Sequence, residues 1–106
     1  MPTVKEFDIF VPLFLNDGAP IKAQLFQQLQ ATLLANFDGL TFFPQQNKGF
    51  WKMGDVVYQD EIVIYRVISK KALKSRRFLS NLKRWMKTAF DQEEILIIER
   101  TIDTVD

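Results

Sequence analysis

The chain has 106 residues, of which 47% are hydrophobic and 25% are charged, and it contains neither cysteine nor histidine. This length and composition predict one globular domain over residues 1–106 rather than a disordered segment. Without those two residue types there is no disulfide, no thiolate metal site and no Ser-His-Asp or Cys-His catalysis. We therefore expect no metal and no cofactor.

We expect neither an export signal nor a membrane span in the N-terminal part of the chain. Glu6 and Asp8 interrupt the first apolar stretch, whereas a secretory signal needs an uninterrupted apolar core. The uncharged run after Lys22 contains four glutamines and is too short and too polar to cross a bilayer. We expect a cytoplasmic protein without a membrane partner.

The first predicted elements are a strand and a helix. Residues 4–15 alternate with a period of two, which is typical of a strand, and Pro12 indicates a bulge or an unpaired amide. Pro20 favours a helix start, and apolar residues at three- and four-residue steps predict a helix over residues 21–37. Gly39 follows as a stop signal.

An aromatic-rich hairpin comes next. Residues 40–43 form a short apolar run, Pro44 interrupts it, and residues 49–52 resume the extended pattern. Gly54 and Asp55 supply a turn before a third strand over residues 61–68. With the turn centred there, Trp51 falls opposite Tyr58 and Phe42 falls opposite Val67, with a bulge in the first arm.

A second helix over residues 70–90 and a fourth strand over residues 93–102 complete the chain. The order β-α-β-β-α-β predicts an α+β fold of the ferredoxin-like type, with a four-stranded antiparallel sheet and both helices on one face.

Two helices cover only one face of such a sheet, and the other face is not polar enough to stand alone in water. We expect a homodimer through that second face, and the predicted interface residues are Phe10, Phe14, Ile62, Ile64 and Ile68. Arg66 falls on the same face and should reach a carboxylate or the rim, because a lone buried charge is costly. A small-molecule pocket is compatible with this homodimer. The alternatives are a different protein partner or a nucleic-acid platform, which the isoleucine-rich surface disfavours.

One cluster is a candidate ligand pocket: Trp51, Tyr58, Glu61 and Arg66. A carboxylate beside aromatic rings at a sheet edge can act as an acid or a base, so a cofactor-independent enzyme is the alternative function. The simpler interpretation, which we favour, is that Glu61 pairs with a lysine or a backbone amide and Trp51 fills the edge of the core.

Charge is unevenly distributed in the second half of the chain. Nine basic residues and no acid lie between residues 66 and 87, and six acids lie between residues 91 and 106. The candidates for binding a polyanion such as nucleic acid are Arg76, Lys83, Arg84 and Lys87. We favour mutual neutralisation of neighbouring elements, because a cationic helix face is usually a solvated surface.

Four short motifs carry a resemblance: "VPL" (11–13), "GLT" (39–41), "GFW" (49–51) and "DEIVIY" (60–65). Together they resemble a family of small bacterial proteins with no assigned activity, which implies a bacterial cytoplasmic protein. More broadly the pattern is similar to dimeric ferredoxin-like α+β barrel proteins, which include small cofactor-independent monooxygenases. Those enzymes often use polar or histidine residues inside the barrel, and this chain has no histidine. The function expected is a homodimeric ligand-binding or interaction module.

Overall fold

The computed structural model describes residues 2–105 as an α+β domain with four strands and two helices. The elements are β1 (Thr3–Pro12), α1 (Ala23–Asn36), β2 (Gly39–Met53), β3 (Val56–Ser69), α2 (Ala72–Ala89) and β4 (Ile97–Asp103). The expected α+β class with a four-stranded antiparallel sheet is confirmed. Within the described residues, neither helix combines the length and the apolar character that a membrane crossing requires.

The strands lie in the order β2-β3-β1-β4, and every neighbouring pair is antiparallel. At the centre of the sheet, Phe7 lies opposite Val67 and Ile9 lies opposite Tyr65. Because side chains alternate between the two faces of a strand, the odd-numbered residues of β1 and of this part of β3 share one face.

That face carries the core, and both helices pack against it. Buried residues from α1, such as Leu29 and Leu33, join one cluster with Leu82 and Met86 from α2 and with the odd-numbered residues of β1 and β3. The periodic stripe predicted for the first helix is the buried face of α1, and Leu79, Leu82 and Met86 form the corresponding buried face of α2. The even-numbered residues therefore form the opposite face, which we call the second face.

The β2–β3 hairpin has two registers. Near its turn, Trp51 lies opposite Tyr58 as predicted, and Gly54 has a φ of 61°, which suits the first central residue of a two-residue hairpin turn. A shift between Phe43 and Asn47 inserts two extra residues in β2. The predicted pairing of Phe42 with Val67 is therefore wrong, and Phe42 lies opposite Tyr65.

Some element ends also differ from the sequence predictions. β3 extends back to Val56 rather than starting at residue 61, and β4 starts at Ile97 rather than at residue 93. Between α2 and β4 the chain is irregular, yet Ile95 is buried in the core and the carbonyl of Leu96 accepts a hydrogen bond from the amide of Phe10. An apolar run thus marked a buried connection as well as a strand.

The adjacent residues Leu33 and Leu34 test this assignment of the core. Leu33 is fully buried and Leu34 is 59% exposed on the same helix. We expect Leu33→Ala to lower the free energy of unfolding by about 3 kcal/mol, because it leaves a cavity. Leu34→Ala is the matched control and should change it by less than about 0.5 kcal/mol. Urea denaturation measures both, and equal effects would contradict the packing.

Candidate functional site

A cluster of four charged side chains occupies the middle of the second face. Asp8 on β1 accepts hydrogen bonds from Arg66 on β3, with Nε at 2.8 Å and Nη2 at 3.1 Å, and from Nη1 of Arg100 on β4 at 2.8 Å. Glu6 lies 3.1 Å from Nε of Arg66 and 3.2 Å from Nη1 of Arg100. We call these four residues the ionic cluster. Two acids and two arginines make it neutral.

Asp8 is the centre of the ionic cluster and is only 3% exposed. The hydrogen bond from Arg66 lowers the pKa of Asp8, against the opposing effect of burial, and Arg100 lowers it further. The guanidinium of Arg66 also lies 4.9 Å from the centre of the Phe43 ring, a cation–π contact. The prediction that Arg66 reaches a carboxylate is confirmed.

Sequence reasoning missed the other members of this cluster. Glu6, Asp8 and Phe10 are every second residue along β1, so all three lie on the second face. Following the alternation along the whole strand would have placed two acids beside Arg66. The ionic cluster therefore lies between Ile68, which is opposite Glu6, and the neighbouring pair Phe10 and Ile64.

Next to the ionic cluster, Phe10, Ile62 and Ile64 form what we call the apolar region of the second face. Phe10, Ile64 and Ile68 are half-buried on the second face, and Ile62 is buried there. Phe14 is 40% exposed and lies beyond the end of β1, in an isolated bridge with Pro20. Four of the five thus share the second face, with Phe14 at its margin.

The outer part of the β2–β3 hairpin, residues 49–59, extends past the rest of the sheet, and we call it the arm. The pairing of β1 with β3 ends at Ile62, so no third strand formed by residues 2–105 lies beside the arm. Its large apolar side chains are exposed: Phe50, Met53, Val56, Val57 and Tyr58. The molecule is correspondingly elongated, with extents of 45 × 32 × 25 Å.

Alternation along the arm divides these side chains between its two sides. Met53 and Val56 are direct partners, as are Trp51 and Tyr58, and both pairs continue the second face. The indole of Trp51 folds back over Gly49, where an added Cβ would lie 3.3 Å from its Nε1. The second face therefore continues from the sheet onto the arm, with Asn47, Gly49 and Asp60 between Ile62 and Tyr58.

The four candidate pocket residues do not share one site. Trp51 and Tyr58 are neighbours on the arm, but Glu61 points to the opposite face and lies across from Lys48. Arg66 belongs to the ionic cluster, eight residues along β3 from Tyr58. A groove of about 430 Å³ lies elsewhere, between α1 and β2.

Two of the four candidate polyanion-binding residues are paired with acids of the following segment. Arg76 binds Glu99 on β4 through both carboxylate oxygens, and Lys83 lies 2.8 Å from Glu94. The Lys83 ammonium lowers the pKa of Glu94, and Arg76 lowers that of Glu99. Neutralisation by neighbouring elements is confirmed for these pairs, while Arg84 and Lys87 make no salt bridge within residues 2–105.

Comparison with models of known protein families, with curated proteins and with solved structures found no match to this chain. The family suggested by the four short motifs stays a prediction.

The ionic cluster predicts how stability depends on pH. Because the pKa of Asp8 is lowered in the folded protein, its contribution is present at neutral pH and is lost as the pH falls below about 4. We expect Asp8→Asn to lower the free energy of unfolding by about 2 kcal/mol at neutral pH. The difference from wild type should shrink under acid conditions.

Urea denaturation across this pH range measures the effect, and Asp103→Asn at the exposed end of β4 is the control. A constant difference between Asp8→Asn and wild type at every pH would show that charge at Asp8 is not what stabilises the fold.

Proposed function

We propose that this protein is a homodimeric interaction module that associates through the second face of its sheet. One observation carries the proposal: the second face continues from the sheet onto an exposed apolar arm, beside which residues 2–105 place no third strand. The expectation of a second copy as partner comes from the sequence, and the arm adds a reason why a partner is needed.

The arm is the weakest part of the monomer. A two-stranded hairpin alone in water is marginally stable, since little apolar surface is removed from solvent. Here Met53, Val56 and Tyr58 are each at least half exposed on the side that continues the second face. A second copy packed on that side would bury them and support the hairpin.

The free energy of a dimer can be gauged from the area that it would cover. A typical stable interface covers about 800 Å² on each partner. If about 700 Å² of largely apolar surface were covered on each subunit, about 25 cal/mol per Å² gives a gross gain near 17 kcal/mol per subunit. This exceeds common estimates of the association cost, about 4–15 kcal/mol.

The ionic cluster would contribute specificity rather than affinity. Its charges sum to zero and its acids are already bonded, so a partner need not supply a compensating charge. Buried ion pairs add little net stability, but they restrict the arrangements in which two surfaces can meet. We expect the cluster to fix the orientation of the two sheets.

The ferredoxin-like topology belongs to the same proposal. It is supported by the order of elements, by antiparallel neighbours in the order β2-β3-β1-β4, and by the packing of both helices on one face. In this topology the second face is the surface that remains open to a partner.

Two adjacent valines at the tip of the arm give a matched test. Val56 and Val57 are 52% and 60% exposed and point to opposite sides of the hairpin. At micromolar concentration we expect wild type to sediment as a dimer and Val56→Asp to shift toward monomer. Val57→Asp should remain dimeric, because it lies outside the second face.

Ile64→Asp lies in the apolar region of the second face and should abolish the dimer more completely than Val56→Asp. Because Ile64 is half-buried in the monomer, this variant can also fail to fold, which circular dichroism would reveal, and the valine pair then decides. A wild-type monomer, or equal effects of Val56→Asp and Val57→Asp, would refute association through the second face.

A further inference from the structure

A groove on the helical side of the sheet has the size of a small-molecule site. Its volume is about 430 Å³, within the range of about 300–1,000 Å³ typical of ligand pockets. One wall is α1 and the other is β2, with β3 as the floor. Its main lining residues are Phe26, Gln27, Gln30, Phe42, Gln46 and Tyr65.

The floor of the groove presents stacked aromatic rings. The rings of Phe42 and Tyr65 have centroids 4.6 Å apart and planes 27° apart. Phe42 is 44% exposed, so part of its ring remains available, and Phe26 lines the facing wall. Flat rings stack favourably on such a surface.

Among residues 2–105, the hydroxyl of Tyr65 is a hydrogen-bond donor without a partner. Tyr65 is only 3% exposed, and within residues 2–105 burial is the one effect on its pKa, with no hydrogen bond contributing. In that part of the chain no side-chain oxygen or nitrogen sealed from solvent lacks a partner. The Tyr65 hydroxyl therefore retains solvent access, and the groove is the opening that this residue lines.

Burial raises the pKa of Tyr65, so the hydroxyl keeps its proton and remains a donor at neutral pH. No charged side chain lines the groove among the residues that the structure describes. A charged ligand would lose hydration there without gaining an opposite charge. Gln27, Gln30 and Gln46 supply neutral amides at the rim.

We propose that the groove binds a small, planar, uncharged aromatic molecule whose ring nitrogen or carbonyl accepts a hydrogen bond from Tyr65. The stacked rings select flatness, the neutral lining selects against charge, and the hydroxyl selects an acceptor. The site lies on the opposite side of the sheet from the second face, so it does not depend on the proposed dimer.

Quinoline and naphthalene form a matched pair of probes, because they share a shape and only quinoline carries an acceptor. In titrations followed by amide ¹H–¹⁵N spectra, we expect quinoline to shift the amides near Phe26, Phe42 and Tyr65 in a saturable manner. Tyr65→Phe removes only the hydroxyl and should weaken quinoline binding about fivefold, the loss expected for one hydrogen bond. It should leave naphthalene binding unchanged.

Phe42→Ala should weaken both probes, because it removes the stacking surface, and Phe50→Ala on the exposed arm is the aromatic control that should change neither. Thermal melting checks that each variant is folded. The proposal is overturned if neither probe gives saturable shifts at the groove, if quinoline and naphthalene bind equally well to wild type, or if Tyr65→Phe binds quinoline as tightly as wild type.

Discussion

The handedness of strand crossovers decides which face of this sheet is left open. β1 and β2 are both antiparallel to β3, so they are parallel to each other, and β3 and β4 are related in the same way through β1. Crossovers between parallel strands are almost always right-handed. The first crossover connects β1 to β2 through α1, and the second connects β3 to β4 through α2. The second starts from a strand of opposite direction and also crosses the sheet in the opposite direction. Two right-handed crossovers related in this way place α1 and α2 on the same face of the sheet. Residues 2–105 form four strands and two helices and provide no third layer that could cover the second face.

The open second face has two regions of different chemistry, the ionic cluster and the apolar region. In the ionic cluster, two arginines donate hydrogen bonds to the buried Asp8, so this region tolerates both water and a partner. The apolar region around Phe10, Ile62 and Ile64 is aliphatic and aromatic. Beyond Asn47, Gly49 and Asp60 the second face continues onto the arm, beside which residues 2–105 place no third strand. Burial of such an apolar surface by a partner is favourable, while the ionic cluster restricts the orientation in which the partner can bind. The helical side is different again, because its groove is neutral and of limited size, which suits a small molecule better than a protein.

Periodicity predicted most of the architecture, because burial of one face imposes a strict alternation on β1 and β3 and regular stripes on both helices. It did not predict the register at Phe42, because two extra residues after Phe43 shift the pairing without changing the face. The role of Asp8 depends on Arg66, which is 58 residues away in the sequence. The alternation of the two strands already placed Asp8 and Arg66 on one face. The free hydroxyl of Tyr65 has no sequence signal, since it depends on how far α1 lies from β2. Surfaces were therefore more predictable than sites.

Hydrogen exchange of the arm tests most directly whether the second face is covered in solution. Exposed two-stranded hairpins open easily, so in a monomer the amides of residues 49–59 should exchange quickly at any protein concentration. Association through the second face predicts that these amides slow as the protein concentration rises from nanomolar to high micromolar, while the core amides of β1 stay protected throughout. Rapid exchange of the arm that is independent of concentration would contradict the account.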